Sequence, residues 1–295
     1  MANSMLESHW TLLLDRIKSG LCTPFLGAGV SSPPLPLGWE VARDWARLHR
    51  YPLEDRFDLA RVAQFMGVTG DPMYPKEEIL RRIQSVKAPD FDDPDEPHGV
   101  LARLPFPIYI TTNYDNFLVD ALKHAKRQAR QELCRWNSLL ADEPSVFDET
   151  FELDPNKPVV FHMHGHIGNL DSLVLTEDDY FDFLVNISRD ETLIPLRIRR
   201  VLTQTTLLFI GYRIADWDFR VLHRSLVSTL EKALGRIHVS VQLTPGPDTA
   251  SKKQRDPIES YLNQYFDKLH IRLYWGNARE FSHELQDRWD KRHGR

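Results

Sequence analysis

The chain has 295 residues, of which 42% are hydrophobic and 27% charged, and a formal net charge of −5. That length buries a sizeable core and suits one large α/β domain. The composition is that of a globular protein, and the acidic balance argues against broad nucleic-acid binding, so no sequence-specific nucleic-acid contact is expected.

In chain order, the first 20 residues are too polar and too interrupted for a signal peptide. The longest apolar run, TTLLFIGY at 205–212, is too short to span a bilayer. A cytoplasmic protein without a membrane partner is expected. Near-continuous apolar runs at 21–27, 106–112, 158–164, 206–212, 236–243 and 269–275 read as strands covered on both faces. Amphipathic stretches at 39–50, 57–67, 76–86, 115–128, 177–186, 216–234 and 278–292 read as helices. The alternation predicts an α/β, Rossmann-like, mostly parallel doubly wound sheet. Residues 33–97 carry helices and no convincing strand, which predicts a helical insertion within a single domain spanning 1–295. The Pro/Asp-rich loop 88–99 closes it, and a second loop-rich interval covers 136–157. The basic stretches 124–130 and 197–200 read as solvated helix faces. Two cysteines, Cys22 and Cys134, with no CxxC pair, exclude a disulfide scaffold and a four-thiolate zinc site.

Ligands of open parallel sheets bind outside the carboxyl ends of the strands, so the residues after each strand carry the functional reading. After the first come Gly27-Ala28-Gly29-Val30-Ser31. Such a turn either exposes amides to a phosphate or only packs tightly against another chain segment, and it lacks both the GxGxxG order and a Walker lysine. After the second come Thr112-Asn113-Tyr114-Asp115, which suit a helix N-cap as well as a cleft. After the third comes HMHGH; extended, it would place His162, His164 and His166 on one face. It reads as a metal site, as a single catalytic His164 fixed by Gly165, or as structural histidines. After the fourth comes GYRIAD, with Asp216 and Asp218 placed to begin a helix, and after the last Asn277 and Ala278. Trp39, Trp45, Trp217 and Phe219 suit either a buried core or an interface.

The ordered set GAGVS, TTNYD, HMHG and FIGYRIAD resembles the sirtuin family, and in particular the sirtuin-like domains of bacterial anti-phage defence systems, over residues of about 20 to 285. The resemblance implies a cleft that binds NAD+ as substrate. By position, Gly27, Ala28, Gly29 and Ser31 fall on the pyrophosphate-binding turn. Asn113 and Asp115, with Thr112 beside them, match the family's Asn-x-Asp near the nicotinamide ribose and carboxamide. His164 matches the catalytic histidine. Gly211, Tyr212, Asn277 and Ala278 match the stretches at the distal ribose and adenine. Three departures stand out. The zinc module's CxxC pairs are absent, so no metal is expected and the helical insertion would take that module's place. The Asp-Phe-Arg segment of deacetylases is replaced by PPLPLGWE, and Tyr212 stands where a serine is usual.

These features imply an NAD+ glycohydrolase rather than a deacylase or ADP-ribosyl transferase, with an NAD- or ADP-ribose-binding regulatory subunit as the non-enzymatic alternative. In that chemistry Asn113 positions ribose hydroxyls or water, His164 acts as a base poised near neutral pH, and Asp115 holds the carboxamide. An unrestrained enzyme of this kind would kill its own cell. An abortive-infection effector is therefore expected, its activity dependent on a trigger supplied by homo-oligomerisation or by a partner such as an ATPase, an Argonaute-like protein or another phage-sensing subunit.

Overall fold

The computed structural model describes residues 5–148, 151–212, 238–242 and 252–294. The expected helix over 216–234, and with it Asp216, Trp217, Asp218 and Phe219, lies outside these residues.

The apolar runs form the strands β1 (Cys22–Leu26), β2 (Ile108–Thr111), β4 (Val159–His162), β5 (Thr206–Ile210), β6 (His238–Gln242) and β7 (Ile271–Trp275). A further strand, β3 (Arg130–Leu133), lies at one edge. All neighbours pair in parallel, in the order β3-β4-β2-β1-β5-β6-β7. The chain leaves β1 toward β2 on one side and later returns to β5 on the other. The crevice at the end of β1 is therefore the switch point of a doubly wound sheet.

Successive side chains of a strand face opposite ways, and the sheet builds a core on each side. Leu26, Tyr109, Val160, Leu208 and Ile210 pack on one side with helices α1 (Glu7–Lys18), α5 (Pro97–Arg103) and α6 (Phe117–His124) and with the C-terminal helix α10 (Ala278–His293). Phe25, Ile108, Ile110, Phe161 and Phe209 pack on the other with α7 (Glu177–Arg189), α8 (Leu196–Gln204) and Phe266 of α9 (Lys252–Asp267). Between β1 and β2 run α2 (Gly38–Leu48), α3 (Leu59–Thr69) and α4 (Tyr74–Gln84). They share a separate core of Val41, Trp45, Val62, Met66 and Ile79, joined by Leu175 from the segment before α7. The acidic first turn of α7 fastens to these helices. Glu177 pairs with Arg61, Asp178 accepts from Gln64, and Asp179 takes the largely buried Lys76 ammonium at 3.0 Å.

Residues 124–130 are not a helix face. α6 ends at His124, Lys126 adopts φ 59°, and the chain turns into β3. Arg127 folds inward, where its guanidinium donates to the carbonyls of Ala102, Leu104 and Phe106. Those acceptors are distant in sequence, and helical periodicity carries no trace of them. Residues 197–200 do lie on a helix, α8, with Ile198 buried and Arg199 paired to Glu191.

Candidate active site

The ends of β1, β2 and β5 meet because each strand hands its last hydrogen bonds to the turn beside it. Gly27 N–H donates to Ile210 O, Thr112 N–H to Leu26 O, and Gly29 N–H to Gly211 O at 2.9 Å. Gly211 has φ +85°, and a Cβ there would stand 2.5 Å from Gly27 O; a Cβ on Gly29 would stand 2.9 Å from Gly211 Cα. These glycines are thus required by the approach of one turn to another. Tyr212 reaches back over the strand ends. Its hydroxyl donates to Leu26 O at 2.9 Å and lies 2.8 Å from Thr112 Oγ1, and its ring occupies the space a Gly27 side chain would need.

Above this crossing a hydrogen-bonded relay forms. Asn113 Nδ2 donates to Gly27 O and to Ser31 Oγ, both at 3.1 Å. Ser31 Oγ donates to Asp115 Oδ2 at 2.9 Å, and Asp115 Oδ1 accepts from Phe117 N–H at the start of α6. Ser31 and Asp115 are buried. Both amide hydrogens of Asn113 are engaged, so its Oδ1 is the atom left to accept from a ligand hydroxyl or a water. Asp115 thus serves as the helix-entry acceptor that its capping character suggested and also anchors Ser31.

HMHGH does not continue extended. β4 ends at His162, and Gly165 takes φ +86°. The turn separates the histidines. His162 and His166 stand together behind the Thr112–Asp115 segment, with ring centroids 4.6 Å apart. His166 Nδ1 accepts from Gly168 N–H at 2.9 Å, so Nε2 carries the hydrogen and donates to Asn116 Oδ1 at 2.7 Å. His164 goes the other way, packed edge-on against Tyr180 and Phe183 of α7 at 5.4 and 5.1 Å. Burial pushes its pKa down to about 3. The expected poise near neutrality is therefore replaced by a neutral imidazole, able to give or accept one hydrogen bond but reluctant to hold a charge. Among the described residues no group of three or more His, Cys, Asp or Glu side chains stands ready to hold a metal ion.

One cavity of about 1330 Å³ collects these strand ends. Ala28, Gly29, Ser31, Thr112, Asn113, Asp115, His164, Gly211, Tyr212, Asn277 and Ala278 all line it, whereas Gly27 contributes only its carbonyl to the relay. Asn277 also closes a capping box with Glu280 at the start of α10. The far wall comes from residues to which the sequence reading gave no role in the site. Leu35, Leu37, Ile79, Arg82 and Ile83 stand on the loop after β1 and on α4, and Tyr180 with Leu184 on α7. For Ile79 with Ile83 and Tyr180 with Leu184 the signal was present only as apolar residues four apart on helices, which any core-facing helix shows.

A family model described as a SIR2-like domain matches residues 107–274, more than half of the chain. The chain belongs to the SIR2-like family. The matched span of this SIR2-like chain holds Asn113, Asp115, His164 and Gly211 and leaves the glycine turn and Asn277 outside. Over 208 residues the chain is 26% identical to NAD(+) hydrolase ThsA of Enterococcus faecium, covering 68% of this chain and 39% of that protein. It is 25% identical over 218 residues to the protein of the same name from Acinetobacter baumannii, covering 72% and 41%. With Defense-associated sirtuin 2 of Bacillus subtilis it shares 26% identity over 219 residues, 71% of this chain and 20% of that protein. The SIR2-like chain thus matches less than half the length of each of these relatives. Among its described residues no helix is long and apolar enough to cross a membrane.

Proposed function

We propose that this cavity binds NAD+ and hydrolyses its nicotinamide–ribose bond, releasing nicotinamide and ADP-ribose, and that the protein acts as an NAD-depleting effector of anti-phage defence. The observation that carries the reading is the joint placement of Asn113 Oδ1 and the neutral His164 ring on the wall of one cavity at the switch point. Ribose hydroxyls and an attacking water are hydrogen-bond donors, and these two side chains offer them acceptors. Relatives named as NAD(+) hydrolases support the substrate.

In this reading Asn113 orients the ribose and the water, held by Ser31 and Asp115. Nicotinamide is a cationic leaving group, so bond cleavage relieves its charge and needs no strong acid. Positive charge develops on the ribose in an oxocarbenium-like transition state. His164 accepts a hydrogen bond from a ribose hydroxyl or from the water, and a weak base suffices because water attacks a centre already strongly electrophilic. The remaining strand-end residues, Ala28, Gly29, Thr112, Gly211, Tyr212, Asn277 and Ala278, shape the floor under the rest of the dinucleotide. Helices α2–α4 form the cover over the cleft. Activity is triggered by self-association or by a partner protein that senses the infection.

The test is incubation of the purified protein with NAD+, alone and with the product of a neighbouring gene, following nicotinamide and ADP-ribose. Release that disappears in His164→Ala and Asn113→Ala supports the reading. Equal release by both variants and the wild type would overturn it.

A further inference from the structure

The glycine turn leaves a charge unmatched. The N–H of Gly29 donates to Gly211 O, that of Val30 to Gly27 O and that of Ser31 to Ala28 O, and the Ser31 hydroxyl is held by Asp115. A diphosphate lying over this turn meets few free donors there. Its two negative charges have to be met from elsewhere on the cavity wall.

Three described arginines line the cavity: Arg61, Arg82 and Arg279. Arg61 is held by Asp55 and by Glu177, the latter at 3.2 Å, with Asp58 at 3.7 Å. Arg279 is held by Asp93 at 2.6 Å. No hydrogen bond or ion pair engages the Arg82 guanidinium among the described residues. Arg82 is half-buried, three residues after Ile79 and next to Ile83, and all three line the cavity from α4. A guanidinium keeps its proton in any protein environment, so it sits here as a permanent charge on a largely apolar wall. Half-buried beside Ile79 and Ile83, the guanidinium keeps donors open to the cavity for an incoming anion. Its planar fork matches two phosphate oxygens at once.

We propose that Arg82 is the anion-recognising residue of the cavity, contacting the diphosphate of the bound nucleotide from the helical side of the cleft. The proposal rests on the nucleotide reading above. It makes α4 part of the binding site rather than only part of its cover. Arg82 does not touch the bond that breaks, so it acts on affinity and not on the chemical step.

The experiment measures ADP-ribose binding by calorimetry and steady-state NAD+ turnover for the wild type, Arg82→Ala, Arg82→Gln and Arg82→Lys. Loss of the charge is expected to weaken ADP-ribose at least tenfold and to raise KM for NAD+ by a similar factor, with kcat falling less than threefold. Lysine should recover part of the loss. Turnover of nicotinamide riboside, which carries no diphosphate, should not respond to the substitution. ADP-ribose binding equal in wild type and both neutral variants overturns the role of Arg82 while leaving the nucleotide reading standing. A wild type that neither binds ADP-ribose nor releases nicotinamide overturns both.

Discussion

Asn113 and Ser31, 82 positions apart in the chain, are joined by a hydrogen bond of 3.1 Å from Nδ2 to Oγ. The bond fixes which end of the Asn113 amide faces the cavity. Ser31→Ala removes an acceptor for Asn113 and a donor to Asp115 without emptying much volume. The expected result is a fall in kcat of about 10- to 100-fold with a smaller change in KM, since the loss is one of orientation. Asn113→Ala, which removes the acceptor itself, should cost about 10²- to 10⁴-fold. Nicotinamide release measured side by side for the two variants checks both magnitudes.

The histidines make stability depend on pH. Burial pushes His162 and His164 down to about 3, and His166 is also lowered by burial. Between those values and the ordinary histidine range near 6.5 the unfolded chain binds protons that the folded chain does not. Stability contributed by the neutral rings is therefore present above about pH 6.5 and is lost progressively as pH falls toward 3, by up to ~1.4 kcal/mol per unit for each fully buried ring. Thermal melts from pH 7.5 to 4.5 should show this decline, and His164→Gln should flatten it.

Gly165 and Gly20 give a matched pair of backbone tests. Both have positive φ, but a side chain at Gly165 would overlap Ser172 O, while one at Gly20 meets nothing within 4 Å. Gly20→Ala should cost about 1–2 kcal/mol, the ordinary left-handed penalty. Gly165→Ala should cost clearly more and displace His164 along with the turn, so that both melting temperature and turnover fall.

Lys76 ties α4 to α7 through Asp179, and both side chains are largely buried. Asp179 also accepts from Leu175 N–H and Thr176 N–H at the start of α7. Lys76→Ala leaves this carboxylate with no cation and should destabilise the fold by about 3–5 kcal/mol. Exchange of the amides of α3 and α4, followed by deuterium uptake, should rise more than that of β1 and β2.

Much of the fold is legible in the chain. Runs such as TLLFI at 206–210 are apolar at every position, and only a strand covered on both faces buries them all. β3 escapes that reading because RQEL sits at the sheet edge. Its Glu132 is buried only through Arg135, Ser145 and the Val146 amide, partners that no local pattern announces. The same holds for HMHGH. Alternation predicts one shared face, but the strand ends at His162 and the chain turns through Met163, His164 and Gly165, so His164 lines the cavity while His162 and His166 pack against each other.

The sequence by itself determined the alternation of strands and helices, the polar strand ends and the order in which they occur, because hydrophobic period and turn chemistry are local properties of a chain. Only the tertiary structure decided which groups at those ends remain free to meet a ligand. Gly29 gives its amide to Gly211, Asn113 gives both amide hydrogens to Gly27 and Ser31, and among the described residues nothing pairs with Arg82 on the opposite wall. Hydrogen bonds saturate. Which donor reaches which acceptor first depends on distances between segments nearly two hundred residues apart, and those distances exist only once the sheet has closed.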